Sequence, residues 1–456
     1  MKTLLKGGTV VSSEDVLIQD VLIENEKIVS VGDNLSDDTA QVVDVSGKLL
    51  FPGFVDAHTH FDLEAAGTVT ADDFNTGSRA ALLGGTTTVI DFATQYHGES
   101  LNHAFSHWLV KAKDKSSCDY GFHMAISDWN GSVSDEISDM IDLGVTSFKL
   151  YMTYDDMKVT DKEIYQILKR LKEAGGIAGV HCENSSIISA LVEEQKCLGH
   201  SGASCHPITR PPQVEAEAIS RLLRIAELAE CPIIIVHLTS KVGCEEALRA
   251  RNRGQKVYLE TCPQYLLLDD ELYNLPAQEG FKYVIAPPLR KKEDQKCLWT
   301  ALSENQIQTV STDHCSFTLK QKLVGERDFS KVPGGMPGVE DRAVLMYTYG
   351  VKQGRITLTQ MCRLLSENPA KLYGAYPRKG HIAVGADADI VVFNPNATGV
   401  ISAKTQAYNM DYAPFEGFET CGRVEQVYLR GRKVVDNRKV IVEHSGCFLQ
   451  RGSFDL

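Results

Sequence analysis

Residues 54–60 read Phe54-Val55-Asp56-Ala57-His58-Thr59-His60. The short apolar run has the length of a strand, and on extended backbone alternate side chains share a face, so both imidazoles leave the strand together. Two histidines so placed form a chelating pair. The residues beyond this run decide the fold. No Gly-x-Gly-x-x-Gly turn comes after it, and Gly84-Gly85 closes a helical stretch instead of opening one, which argues against an open, doubly wound dinucleotide-binding sheet.

Along the chain, strand-like apolar runs recur around Val55, Val89, Phe122, Phe148, Val180, Ile235, Tyr258 and Val310, separated by helical patterns. Eight βα units predict an α/β protein with a closed parallel (β/α)8 TIM barrel. The helices read as amphipathic: from Val214 to Ala229, the residues Ala218, Leu222, Ile225 and Leu228 fall at three- and four-residue spacing and predict a core face. Both chain ends read differently. Thr3 to about Val45 alternates short apolar runs with turn signals, and Ala388–Phe393 and Val424–Gly431 do the same near the other end. The expectation is one smaller β domain built from residues 1–50 and 379–456, flanking a barrel over 51–378.

The chain has 456 residues, 43% hydrophobic and 23% charged, which is the composition of a globular protein with a large core. Its net charge of −13 and the absence of a basic cluster argue against nucleic acid or an anionic membrane as partner. No apolar run approaches the roughly 18 residues of a spanning helix, and Gly7-Gly8 interrupts the start before a signal-peptide core can form. Twelve cysteines without a Cys-x-x-Cys pair suit reduced core thiols. Together these features predict a cytoplasmic protein whose partner is a small molecule or another protein chain.

In such a barrel the reactive groups sit where the strands end. The first run ends in His58 and His60, the fifth in His181, the sixth in His237, and the eighth in Asp313. A lone histidine at a strand end is usually structural; four imidazoles and a carboxylate at the ends of one barrel exceed what a single catalytic zinc needs. Two divalent cations are the simplest reading. The fourth run, Ser147-Phe148-Lys149-Leu150-Tyr151, then poses a problem, because an ammonium beside two cations in a dry pocket is repelled. Carboxylation of Lys149 by CO2 removes it, since a carbamate is an anion whose two oxygens can bridge two metals. A Schiff-base lysine and a lysine snorkelling out of the barrel stay open at this point.

The chain also resembles the dihydropyrimidinase and hydantoinase branch of the amidohydrolase superfamily. The likeness rests on Pro52–His60, Gly67–Phe74, Phe148–Tyr151, His181–Asn184, Glu260–Tyr265 and Pro287–Arg290, and it covers almost the whole sequence. It implies a metal-dependent barrel flanked by a β-sandwich from both ends, usually a homotetramer. It further implies that His58, His60 and Asp313 hold one metal, that His181 and His237 hold the other, and that N6-carboxylated Lys149 bridges them. With every ligand position filled, it argues against the family's non-catalytic relatives. Tyr154 matches the tyrosine that donates to the oxyanion, and Asp313 the general base and acid.

The implied reaction opens a hydantoin or dihydropyrimidine ring to an N-carbamoyl amino acid. Dihydroorotase is disfavoured because Phe61-Asp62 follows His60 where that branch places a residue and then arginine; allantoinase is the nearer alternative, and a metal-binding scaffold without turnover is a further one. Two positions depart from the family: Ala286 stands where serine is usual, and Gly334 where asparagine is. The family contacts the ring amide there largely through main-chain groups. Leu63, Tyr96, Met152 and Met157, on loops after the first, second and fourth strands, offer apolar surface to an exocyclic substituent. The apolar tail residues Phe448, Leu449, Phe454 and Leu456 suggest packing on a neighbouring subunit.

Overall fold

The computed structural model describes residues 2–276 and 278–456. All eight expected strands form: β1 (Phe54–Thr59), β2 (Thr86–Thr94), β3 (Asp119–Ala125), β4 (Ser147–Tyr151), β5 (Ile177–His181), β6 (Ile233–Ile235), β7 (Val257–Thr261) and β8 (Thr309–Val310). They lie side by side in sequence order and pair in parallel. Almost every residue in them is buried, as strands covered on both faces require. The barrel is nearly closed. Thr59 bridges to His314, the His60 amide donates to the His314 carbonyl at 2.8 Å, and the Asp56 carboxylate takes the Thr312 hydroxyl at 2.7 Å and its amide at 3.1 Å. Between the strands, Val55, Ala57, Ile90, Ile177, Ile234 and Val236 fill the barrel interior as packed layers rather than a pore.

The helices follow from local signals. Thr160 and Glu163 form a reciprocal capping box at the start of Asp161–Ala174, and Gly175, at φ 77°, ends it in the left-handed region that glycine enters at little cost. Helix Pro212–Ala229 corrects one expectation. Ala218 and Leu222 are fully buried, but Ile225 is only half-buried and Leu228 is 75% exposed. The buried stripe passes instead through Ile219, Leu223, Ala226 and Ala229. Near the helix end, counting in threes drifts off the 3.6-residue period and onto the solvent side.

Both chain ends meet in one mixed sheet of nine strands. Ile390–Val400 pairs antiparallel with Leu49–Pro52, which pairs in parallel with Lys2–Val11. The sheet keeps its own apolar cluster, including Leu5, Val21, Ile28, Ile390 and Tyr428. Of the tail residues, Phe448 and Leu449 dock on their own barrel and not on a neighbour, while Leu456 stays 38% exposed. Leu449 is 1% exposed, its amide donates to the Tyr120 carbonyl at 2.7 Å, and Phe448 packs on Phe105, Tyr120 and Phe122. Arg451 then enters the N-terminal end of the barrel, where it donates to Ser147 Oγ at 2.8 Å and to the carbonyls of Tyr373 and Phe122. All twelve cysteines are unpaired, eight of them buried. Among the described residues no helix is long and apolar enough to cross a membrane.

Candidate metal centre

The strand ends converge as their sequence positions imply. His58 Nε2 lies 3.2 Å and His60 Nε2 3.1 Å from the same oxygen of Asp313. Ligand atoms of these three residues all fall within 4.8 Å of one another, the spacing of donors around one ion. The His237 ring is 5.4 Å from that of His58 and 4.6 Å from that of His181. Lys149 is 1% exposed, and its Nζ sits 5.0 Å from the Phe92 ring centre and 5.1 Å from that of Tyr151. It therefore points into the barrel and does not snorkel. Phe92 also stacks on His60 at 4.6 Å, which gives the site an apolar floor.

The donor set suits a metal. Nε2 of His58, the nitrogen that faces Asp313, is buried without a hydrogen-bond partner among the described residues, a costly state unless something else occupies it; Nδ1 of His60 and of His237 are likewise unpartnered. His58 Nδ1 is 2.7 Å from Glu260 Oε1, and because a carboxylate accepts, Nδ1 carries the proton and Nε2 keeps its lone pair for an ion. His181 Nε2 meets Glu183 at 2.8 Å, which leaves Nδ1 outside that contact. Glu183 is itself paired with Arg210. The sequence reading missed Glu183, Glu260 and Arg210 as functional groups, although both glutamates stand in the motifs it quoted. Asking for a polar residue at the end of every strand would have found Glu260 on β7.

Burial governs the electrostatics. It lowers the Lys149 ammonium to about 8 and His60 to about 4. Burial works in the opposite sense on Asp313 and Glu183, but His58 and His60 hold Asp313 well below the usual carboxylate range, and Arg210 and His181 bring Glu183 down to about 2. Three of these residues occupy left-handed backbone without being glycine: His237 at φ 38°, Asp313 at φ 52° and Tyr154 at φ 69°. Such strain, on the order of 1–3 kcal/mol each, persists where the surroundings hold it. Here Glu260 Oε1 also takes the His237 amide at 3.2 Å.

Tyr154 is 38% exposed, yet its ring is 5.2 Å from that of His181 and the Arg210 guanidinium lies 5.7 Å from its centre. The tyrosine therefore stands at the mouth of the site. Burial raises its phenol, so the proton stays on at neutral pH. Ala286 is half-buried and Gly334 exposed, and a Cβ placed on Gly334 would lie 3.7 Å from the Ala286 nitrogen. The two departures are thus neighbours. Of the apolar wall, Met152 is buried in the main core, Leu63 and Tyr96 pack partly on that core, Tyr96 lies 6.4 Å from Trp108, and Met157 donates its amide to the Tyr154 carbonyl at 3.0 Å.

Residues 49–434 match the amidohydrolase family. The chain belongs to that family. Over 444 residues this amidohydrolase is 44% identical to the D-hydantoinase of Geobacillus stearothermophilus, which covers 97% of the chain and 94% of the relative. It is 39% identical to the D-phenylhydantoinase of Escherichia coli strain SE11 over 459 residues, 100% of this chain and 99% of that one. Among solved structures, the dihydropyrimidinase from Brevibacillus agri superposes on this amidohydrolase with a TM-score of 0.98 at 41% identity, covering 100% of this chain and 99% of that chain.

Proposed function

We propose that the protein hydrolyses the cyclic amide bond of hydantoins or dihydropyrimidines and releases N-carbamoyl amino acids. The observation that carries this reading is the meeting of His58, His60 and Asp313 within 4.8 Å beside a buried Lys149. Full-length likeness to hydantoinases supports it over allantoinase. We assign His58, His60 and Asp313 to one divalent cation, His181 and His237 to a second, and N6-carboxylated Lys149 to both. The donor set suits zinc. Two such ions, when bound, acidify water and polarise a carbonyl.

The chain's own groups do the rest. The neutral Lys149 amine adds to CO2, forming an N–C bond and releasing its proton, and burial supplies that neutral form by lowering the ammonium to about 8. Asp313, ionised at neutral pH, takes the proton of the attacking water and returns it to the leaving ring nitrogen. Tyr154, protonated, donates to the oxyanion. Main-chain groups at Ala286 and Gly334 hold the ring amide, and Leu63, Tyr96, Met152 and Met157 face an aryl or alkyl substituent. We further assign the protein to the cytoplasm as a homotetramer, with residues 51–378 as the hydrolase barrel and 1–50 with 379–456 as its companion sandwich; the twelve unpaired cysteines suit a reducing compartment.

The test is turnover by the purified, zinc-loaded protein of phenylhydantoin, dihydrouracil, allantoin and dihydroorotate, with metal content measured alongside. Carbamoyl products from the first two are expected. Preference for allantoin would move the assignment to allantoinase, and two bound metals without hydrolysis of any of the four would make the protein a scaffold.

A further inference from the structure

Lys322 is a fully buried lysine that the metal centre does not use. It ends the short helix Leu319–Lys322, has 0% exposure, and makes no ion pair with a carboxylate among the described residues. Its Nζ donates to the carbonyl of Val284 at 2.8 Å and to that of Pro333 at 3.1 Å. Burial lowers it to about 7. A lysine so desolvated is costly to keep, and an apolar residue of similar length would fill the space at less cost. What it gains is a join between two segments distant in sequence.

Those segments carry Ala286 and Gly334. The carbonyls around Ala286 are all engaged by buried donors: Val284 by Lys322 and by the Gly335 amide at 3.0 Å, Ile285 by His206 Nε2 at 2.6 Å, and Pro287 by the Tyr265 hydroxyl at 2.9 Å. In contrast, the peptide groups of Ala286 and Gly334 have no hydrogen-bond partner among the described residues, and both reach solvent. A backbone held on all sides and left unpaired only where two strands of chain approach is built to pair with something else. A cyclic ureide, with an N–H beside a C=O in its ring, has the complementary edge. Ala286 and Gly334 carry no polar side chain, so any recognition at these two positions falls on the main chain, whose aim depends on what holds it.

We propose that Lys322 is the positioning residue for ring-amide recognition: by tying Val284 to Pro333, beside the direct bond from the Gly335 amide to Val284, it fixes how the peptide groups of Ala286 and Gly334 face each other. This rests on the hydantoinase reading above. The hydrogen bonds of Lys322 go to the carbonyls of Val284 and Pro333 and to none of the assigned metal ligands, so its removal is expected to act on binding more than on chemistry.

The experiment uses the zinc-loaded enzyme with phenylhydantoin. Lys322→Met keeps the length and loses the donors, leaving the Pro333 carbonyl without a partner and Val284 with the Gly335 amide alone. The expected result is a KM raised about tenfold or more, with kcat changed by less than about threefold and metal content unaltered. Lys322→Gln, which retains an amide donor, is expected to fall between wild type and Lys322→Met. A KM unchanged in a folded Lys322→Met protein overturns the proposal, as does an equal loss in kcat with KM constant. If neither variant folds, the lysine is a stability element and the proposal fails. If wild type turns over none of the cyclic ureides, the underlying reading falls first and takes this one with it.

Discussion

His58 is held from both sides. Its Nδ1 is committed to Glu260, so its Nε2 faces Asp313 with a free lone pair. The same glutamate oxygen takes the amide of His237, so one side chain orients a ligand on each half of the proposed pair. Glu260→Gln is therefore expected to weaken metal retention by about 10- to 100-fold, read as metal content after dialysis against a graded chelator; retention equal to wild type would remove Glu260 from the site. Lys149→Ala is expected to lower activity by on the order of 100-fold or more and to lose metal with it, with short carboxylic acids restoring part of both. Metal content unchanged and no rescue would count against a bridging carbamate. At this scale the residue types were legible from sequence, because a histidine or lysine ending an apolar run stands out in one dimension. The pairing of His58 with Glu260 was not, since the two lie 202 residues apart in the chain and meet only when the barrel closes.

The tail shows what an element adds. Phe448, Leu449 and Arg451 close the N-terminal end of the barrel; Arg451 reaches Ser147, two residues before Lys149, whereas Leu449 pairs with Tyr120, five residues or about 17 Å of strand before the end of β3 that faces the site. Leu449→Ala is expected to cost about 2–5 kcal/mol in urea unfolding and to leave kcat near wild type. A large loss of kcat without loss of stability would show that the tail acts on the site. Apolar residues near a chain end read equally well as an intramolecular or an intermolecular contact, because periodicity records that a face is buried and not what buries it. Leu228 makes the complementary point: spacing put it on the core face, and the outer turn of a peripheral helix left it in water.

Barrel and end sheet are joined by a buried ion cluster. Lys379 Nζ lies 2.7 Å from Asp119, 2.6 Å from Asp389 and 3.0 Å from Asp387, and Arg430 of the end sheet also pairs with Asp119 at the start of β3. Lys379→Met leaves three buried carboxylates short of their cation and is expected to destabilise the whole molecule by about 3–5 kcal/mol. Burial pushes Asp387 up, but Lys379 and Lys27 outweigh it and bring the carboxyl to about 2 from its ordinary 3.8; Lys379 and Arg430 likewise hold Asp119 below the usual range. With folded values below unfolded ones, the unfolded chain takes up protons first as acid is added. The stability that Asp387 and Asp119 contribute is therefore present above about pH 4 and lost as pH falls toward 2, whereas Asp389, which burial raises above its ordinary value, works in the opposite sense. Acid titration followed by circular dichroism should show that loss in wild type and a flatter curve in Lys379→Met; identical slopes would exclude the cluster as its source.

By itself the sequence determined the eight strands, the barrel they close and the ligand types at their ends, because strand length, side-chain alternation and the polar residue that stops an apolar run are local properties of the chain. Only the tertiary structure decided which glutamate orients which histidine, that Lys322 joins two loops, and that the tail closes its own barrel. Those pairings depend on register and docking between segments far apart in the chain, and a buried donor's partner is fixed by what three-dimensional packing places within about 3 Å of it.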